Sequence, residues 1–314
     1  MAFSPITDLV NWRLSSRIPR LQEMRDHPIA AQELVFRELM TQVALTDFGR
    51  EQGLTGECTY EEFAAQVPIT NYDKLYPWIE RSIRGEANVL WPGVTRWFAK
   101  SSGTTAAKSK FIPVSRESLE DNHFKAGRDL LAFYSEQVPD SQLYDGLSLR
   151  LGGSSKINEL SEHSYYGDLS AIIIDNLPLW ASWRSTPSHD LALMDEWEAK
   201  IEKIAQQVAR QNVTSLFGVP SWMLVLLRRV LEIRGETSLE AVWPNLELFV
   251  HGGVAFTPYE SAFEAILPRG TRKLETYNAS EGFFAVQDRL DDPGMLLMLE
   301  HGIFYEFVPM AEFN

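Results

Sequence analysis

The chain has 314 residues, 45% of them hydrophobic, which suits one large domain or two of ordinary size. Its 29 basic and 43 acidic side chains give a net charge of −14, which argues against the broad basic face that nucleic-acid binding requires. The single cysteine, Cys58, excludes an internal disulfide and is expected to be a buried structural residue. The sequence contains no secretory signal and no long apolar run. We therefore expect a cytoplasmic protein with no membrane partner.

The first part of the chain predicts helices. Apolar residues with helical spacing indicate a helix over 28–50, and 59–85 is expected to form two short helices broken by prolines, one of them Pro77. The hydroxyl-rich stretch FAKSSGTTAAKSKFIPVS follows at 98–115. Ser115, its last residue, is the expected N-cap of the next helix.

Beyond residue 146, short apolar strands alternate with helices. Amphipathic helices are predicted at 190–212 and 221–235, and the TPYE sequence predicts a capping box in which Thr257 caps a further helix. A hairpin is predicted to turn near His301. The predicted strands are LSLRLGG (147–153), AIIID (171–175), TSLFGVP (214–220), NLELFVHGG (245–253) and RKLETYNAS (272–280).

This alternation predicts an α/β fold with mixed, largely parallel sheets flanked by helices. In such folds ligands bind at the carboxyl ends of the strands. We therefore expect a binding site where the strands end, after residues 98, 217, 251 and 277.

The hydroxyl-rich stretch is the first candidate site. Its residues offer hydroxyl groups and backbone amides to an anion, but it lacks the second glycine of a nucleotide-binding P-loop. A phosphate site and a solvated surface loop both remain open. The residues concerned are Ser101, Ser102, Gly103, Thr104 and Thr105.

Two further strand ends carry candidate residues. Gly252 and Gly253 follow a predicted strand, where glycines either let a flat ligand approach the backbone or form a tight turn. His251 beside them is more often structural than catalytic in such a position. Tyr277 ends another strand and is able to stack on a ring, and Glu281 offers hard oxygens to a divalent cation.

Hydrolase sites are not supported. A serine nucleophile at an elbow requires glycine where Asn278 stands, and the six histidines show no zinc-binding spacing such as H-E-x-x-H.

The three motifs, in this order, resemble those of the GH3 acyl acid–amido synthetases, a family of adenylate-forming enzymes. FAKSSGTTAAKSKFIPVS resembles the family's phosphate motif, ELFVHGGVAFTPY a central block, and YNASEGFFAVQ its second nucleotide motif. The likeness extends over nearly the whole chain and is greatest to the bacterial members. It implies a fold like the large domain of adenylate-forming enzymes.

The resemblance implies a two-step reaction. ATP and a small carboxylic acid, assisted by Mg²⁺, form an acyl-adenylate, and an amine or amino acid then displaces AMP to give an amide. Such chemistry needs positioning and charge stabilisation rather than a side-chain nucleophile. A coenzyme A ligase shares the first step and remains an alternative.

The resemblance also implies roles for individual residues. The five residues of the hydroxyl-rich turn would hold the phosphates, with Lys110 adding positive charge. Gly252, Gly253 and Val254 would line the adenine and acyl pocket. Tyr277 would stack on adenine, Ala279 and Ser280 would border the nucleotide, and Glu281 would bind Mg²⁺. For Arg128, pairing with a substrate carboxylate and a surface salt bridge are both open, the second being the more usual.

The sequence departs from the family pattern at two points. Ala107 stands where the family often has glycine. After GIFYEFVPMAEFN the family continues into a third nucleotide motif and a smaller lid domain that carries a lysine used in adenylation. We therefore expect residues 1–314 to form the large N-terminal domain without the lid, inactive or weakly active alone. A non-catalytic nucleotide- or acyl-binding remnant is the second hypothesis, and the sequence leaves the oligomeric state open.

Overall fold

A computed structural model describes residues 5–101, 109–153 and 157–312. Helices make up most of the first 95 residues and also flank the sheets that follow. None of the described helices is long and apolar enough to cross a membrane. The helices are Pro5–Ser15 (α1), Ile18–Asp26 (α2), Pro28–Val43 (α3), Asp47–Glu51 (α4), Tyr60–Gln66 (α5), Tyr72–Ile83 (α6), Phe124–Gln137 (α7), Leu169–Asp175 (α8), Leu179–Ser182 (α9), His189–Ala192 (α10), Trp197–Val208 (α11), Pro220–Arg234 (α12) and Glu260–Glu264 (α13).

Eleven strands among the described residues form two sheets. The smaller sheet has the order β2-β1-β5-β4 and the larger one the order β11-β10-β9-β8-β7-β3-β6. The strands are Trp97–Ser101 (β1), Lys110–Val114 (β2), Leu147–Leu151 (β3), Asn158–Ser161 (β4), Ser164–Gly167 (β5), Ser185–Thr186 (β6), Val213–Gly218 (β7), Leu248–Gly252 (β8), Arg272–Ala279 (β9), Gly282–Val286 (β10) and Leu296–Leu297 (β11).

The larger sheet is mixed and mostly parallel. Strands β6, β3, β7, β8 and β9 pair in parallel. Beyond β9, strands β10 and β11 are added in antiparallel pairing. The predicted α/β class is therefore confirmed. Because neighbouring parallel strands run in the same direction, the carboxyl ends of β3, β7, β8 and β9 lie along one edge of the sheet.

Helices cover both faces of the larger sheet. On one face α11 and α12 pack around the fully buried Trp243, whose indole N–H donates to the carbonyl of Val208 over 3.1 Å. On the other face α1, α2 and α7 pack around Tyr134, whose hydroxyl donates to Glu247 over 3.0 Å. Strand β8 thus sends Phe249 into one apolar core and Leu248 and Val250 into the other.

One predicted strand is a helix. The AIIID segment, predicted as a strand at 171–175, forms the second part of α8, which packs against β1 and β5. Its Ile172 is fully buried in a small core with Ala99 and Val114. A short run of apolar residues fits a buried strand and a buried helix equally well, so packing against the smaller sheet decides the conformation.

Three local predictions are also corrected. Helix α6 continues through Pro77 instead of ending there. Thr257 begins a 3₁₀ turn and its side chain caps no helix, so the capping box is wrong. No strand follows residue 302 within the described range, because β11 pairs backward with β10 rather than forward across His301. The predicted cap at Ser115 is confirmed, since its hydroxyl accepts the N–H of Ser118 over 3.0 Å.

Candidate active site

A cavity of about 590 Å³ lies at the edge of the larger sheet where the parallel strands end. This volume lies within the usual range for small-molecule sites. Helices α7 and α8 and the ends of β1, β3, β7, β8 and β9 form its walls. We call it the strand-end cavity. Its apolar lining includes Leu130, Leu131, Ile173, Ile174, Phe217 and Val250.

The glycine pair at the end of β8 lines the strand-end cavity. A Cβ atom on Gly252 would lie 2.3 Å from the backbone oxygen of Thr276, so β8 and β9 approach too closely for any side chain there. Gly253 has a φ of +81°, in the left-handed region that favours glycine. The backbone geometry thus requires glycine at both positions. Without side chains there, bare peptide groups face the cavity. Val254 is 40% exposed and is not part of the lining.

Side chains along β9 alternate between the two faces of the sheet, so the residues of the second nucleotide motif do not all line the same cavity. Thr276 and Asn278 line the strand-end cavity, whereas Tyr277 lies between them and is 55% exposed. The Tyr277 ring packs against Phe284, with 5.0 Å between the ring centroids. An exposed aromatic ring at a strand end is available to stack on a second ring.

The turn after β9 leads to a second cavity. Ala279 and Ser280 line the strand-end cavity, but the exposed Glu281 lines a larger space of about 1020 Å³. Asp129 and His301 also line this larger cavity; His301 Nε2 lies 2.8 Å from the Asp129 carboxylate, and Arg17 contacts the other oxygen. The structure therefore places the predicted metal ligand in a different cavity from most of the predicted nucleotide residues.

The described residues include only part of the hydroxyl-rich motif. Ser101 ends β1, lines the strand-end cavity and pairs across β1 and β2 with Lys110. The Lys110 ammonium lies 5.4 Å from the ring centroid of Tyr72 and is not part of the lining, whereas the unpredicted Lys100 is. The remaining motif residues, Ser102, Gly103, Thr104 and Thr105, lie outside the described residues.

Two histidines of the strand-end cavity are neutral at pH 7. Burial lowers the pKa of both His123 and His251 to about 4, because an apolar environment disfavours the charged ring. The His251 ring stacks on Phe256, with 4.2 Å between the centroids. A group with so low a pKa is a weak base at pH 7, which supports the structural interpretation of His251.

Several buried polar atoms in this cavity have no hydrogen-bond partner among the described residues. They are Nε of Arg150, Nδ1 of His251 and, apart from a contact between their two side chains, the ring nitrogens of His123 and the side-chain oxygen of Asn278. Each buried unsatisfied group costs about 1–3 kcal/mol. Such a concentration in one cavity is typical of a site that binds a polar ligand.

Arg128 lies where the two cavities meet, since it lines both. Within the described chain no carboxylate forms an ion pair with it, so the surface salt bridge considered for it is wrong. Burial lowers the pKa of its guanidinium. Its Nη2 donates a long bond of 3.4 Å to the carbonyl of Glu120.

The described residues contain no group of three or more His, Cys, Asp or Glu side chains arranged to hold a metal ion. A cation at Glu281 would therefore need most of its oxygen ligands from a bound phosphate and water, which is the usual way in which proteins bind Mg²⁺.

Residues 17–271 match the family model described as the GH3 family N-terminal domain, which covers most of the chain. The chain belongs to the GH3 family. This GH3 chain also resembles individual curated enzymes over a shorter stretch.

Over 125 residues it is 33% identical to indole-3-acetic acid-amido synthetase GH3.8 of Oryza sativa subsp. indica, covering 40% of this chain and 19% of that enzyme. Over 126 residues it is 29% identical to jasmonoyl–L-amino acid synthetase JAR6 of Nicotiana attenuata, covering 40% of this chain and 21% of that enzyme. The matched stretches thus span about a fifth of these relatives.

Solved structures show the same fold. The GH3 chain resembles the AtGH3.15 acyl acid amido synthetase, solved in complex with 2,4-DB, with a TM-score of 0.77 and 15% identity over 96% of this chain and 61% of that one. It also resembles an open conformation of 2-hydroxyisobutyryl-CoA ligase, solved with 2-HIB-AMP and CoA, with a TM-score of 0.55 and 14% identity over 89% of this chain and 61% of that one. The fold is thus that of adenylate-forming enzymes.

The sequence did not identify every residue of the cavity. Lys100, His123, Arg150 and Asn278 contribute polar groups but were not assigned a role in advance. Only Arg150 could have been recognised from the sequence, because it is the charged residue in the apolar strand LSLRL. The others reach the cavity through tertiary packing, which no local pattern reveals.

Proposed function

We propose that this chain binds ATP and Mg²⁺ and activates a small carboxylic acid as its acyl-adenylate, for conversion to an amide by an amine or amino acid. The match of residues 17–271 to the GH3 family carries this proposal. The strand-end cavity supports it, because it combines an apolar chamber, exposed peptide groups and unpartnered polar atoms at one sheet edge.

The nucleotide would bind across the ends of β1, β8 and β9. Ser101 and the four motif residues that follow it would donate hydroxyl and amide hydrogens to the phosphates, with Lys110 adding positive charge. Gly252, Gly253 and Val254 would border the adenine and the acyl group beside bare backbone. The exposed ring of Tyr277 would stack on the adenine, and Ala279 and Ser280 would flank the nucleotide.

The residues present suit this chemistry. The ionised carboxylate would attack the α-phosphorus of ATP, forming the acyl-adenylate and releasing pyrophosphate. The protein then has to hold the carboxylate in line and stabilise the charge on the phosphate, so no side-chain nucleophile is required. Glu281, an exposed carboxylate beside Ser280, would hold Mg²⁺ together with phosphate and water oxygens.

A cytoplasmic location is part of the proposal. The reaction consumes ATP, and the free thiol of Cys58 is buried among Phe36, Met40 and Leu54, as expected for a structural residue in a reducing compartment.

Acid-dependent exchange of labelled pyrophosphate into ATP tests the first half-reaction. We expect slow exchange that requires both Mg²⁺ and a carboxylic acid, from a panel of aliphatic and aromatic acids. Glu281→Gln should reduce the exchange rate at least tenfold, because the metal loses its protein ligand. Glu57→Gln, which changes an exposed loop carboxylate, should leave the rate unchanged.

ATP binding without exchange for any acid of the panel would contradict the enzymatic proposal and favour a non-catalytic nucleotide-binding protein. Where exchange occurs, adding amino acids or coenzyme A separately identifies the acceptor. Product formed only with coenzyme A would contradict the amide-forming second step.

A further inference from the structure

Arg150 lies in the wall of the strand-end cavity. Its neighbours on β3, Leu149 and Leu151, are buried in the core formed with α11 and α12, so Arg150 faces the opposite side of the sheet. The register pairs Arg150 with Phe217 on β7, and its guanidinium carbon lies 5.5 Å from the centroid of that ring. This cation–π contact fixes the guanidinium against the cavity wall.

Among the side chains that the structure describes, no acidic group balances this charge. Among the described residues no carboxylate lies within ion-pair distance of Arg150, and its Nε is buried without a hydrogen-bond partner. Although burial lowers the pKa of Arg150 to about 10, the group stays charged at pH 7. A buried charge without a partner is costly, which indicates that a ligand supplies the partner.

Further donors lie near Arg150. The hydroxyl of Tyr144 is close enough to affect the pKa of Arg150, and the Ser135 hydroxyl is in turn close enough to lower the pKa of Tyr144. The two hydroxyls contact each other without full hydrogen-bond geometry, and neither has another partner among the described residues. An anionic group beside Arg150 would therefore have the Tyr144 hydroxyl nearby as a further donor.

Arg150 is separated from the end of the cavity that holds the glycine pair. In the sheet order, β7 lies between β3 and β8, and the register aligns Arg150 with Phe217 and Val250, two residues before Gly252. With roughly 5 Å between neighbouring strands, the backbones of β3 and β8 are about 10 Å apart. Near Arg150, Phe217 and Val250 the cavity lining is apolar. Leu131 and other side chains of α7 and α8 contribute it.

We propose that Arg150 binds a second anionic group of the acyl acid, at the end far from the carboxylate that reacts. The preferred substrates are then acids with an apolar middle and an anionic group at each end, such as α,ω-dicarboxylic acids. This inference rests on the proposed function, since it assumes that the reacting carboxylate lies beside Gly252 and Ser280. A guanidinium suits the role because its fork of N–H donors matches a carboxylate.

Calorimetric titration of the chain with linear mono- and dicarboxylic acids of 4 to 12 carbons, matched in length, tests this inference. We expect a dicarboxylate to bind the unchanged chain at least tenfold more tightly than the monocarboxylate for at least one length. In Arg150→Gln and Arg150→Met this preference should fall below twofold, while monocarboxylate binding changes less than threefold. Arg210→Gln, at an exposed position, should retain the preference.

Far-UV circular dichroism and thermal unfolding verify that both Arg150 variants fold. Equal loss of mono- and dicarboxylate binding in the folded variants would show that Arg150 pairs with the reacting carboxylate, which overturns the inference. Monocarboxylate binding without dicarboxylate preference at any length overturns it and leaves the proposed function intact. Failure of every acid to bind contradicts both the inference about Arg150 and the proposed function.

Discussion

Ser280 and Glu281 are consecutive residues, yet each lines a different cavity. They form the turn between β9 and β10, where Ala279 pairs with Gly282 across the hairpin. A ligand that contacts both residues must therefore extend from the strand-end cavity towards the larger one. A nucleotide with its phosphates at this turn and a cation on Glu281 has that extended shape.

The close approach of β8 and β9 at Gly252 predicts a stability effect. Gly252→Ala would force a Cβ atom to within 2.3 Å of a backbone oxygen, and we expect a loss of about 1–3 kcal/mol in the free energy of unfolding. Gly127→Ala is the control, because Gly127 lies in α7 with open space at its Cβ position. It should be neutral or stabilising by about 0.5–1 kcal/mol. Urea denaturation measures both, and equal stabilities would refute the steric argument.

Individual residues differed in how far the sequence revealed them. The glycine pair was recognisable because close backbone approach and positive φ both select glycine, wherever they occur. The role of Tyr277 stays a prediction, but its exposed position at a strand end agrees with it. His123 and Asn278 gave no local sign, because each reaches the cavity only through the tertiary packing of the segments around it.

The π-helix Ser118–His123 connects the two cavities. Asp121 and Asn122 line the larger one, and His123 lines the strand-end cavity. Asn122 fixes this element, since its side-chain amide donates to the carbonyls of Phe283 and His301 over 3.1 and 2.9 Å and accepts the N–H of Phe283 over 2.7 Å. The wider turn of a π-helix is often found at functional sites.

Asn122→Ala should therefore destabilise the chain by about 2–4 kcal/mol, because it leaves buried backbone groups without partners. Glu120→Ala, in the same π-helix, removes only an exposed contact with Arg116 and should cost less than about 0.5 kcal/mol. Chemical denaturation of the two variants in parallel gives the comparison. A loss for Asn122→Ala no greater than that for Glu120→Ala would contradict the proposed anchoring role.

Elements with strong periodicity or clear end signals were predictable from sequence. The α12 helix ends at Gly235, whose φ of +67° is the conformation that glycine favours at helix ends. The AIIID segment was not predictable, because five apolar residues carry no period long enough to separate a strand from a helix. Its assignment to α8 matters for function, since α8 supplies one apolar wall of the strand-end cavity.

The chain as a whole follows the rule that parallel strands converge on a binding site at their carboxyl ends. The α/β class and the edge of the sheet that carries the site were predictable from the order of strands and helices. The division into two cavities was not, because it depends on how the N-terminal helices α1 to α3 pack beside the residues around His301.

Calorimetric titration of the chain with ATP in the presence of Mg²⁺ tests the nucleotide site most directly. We predict saturable binding that Tyr277→Ala weakens about tenfold or more, since a base stacked on an aromatic ring contributes about 1–3 kcal/mol. Tyr76→Ala, which removes another exposed tyrosine, should bind ATP as the unchanged chain does. Absence of ATP binding, or equal affinity in the Tyr277 variant, would contradict a nucleotide site at the ends of β8 and β9.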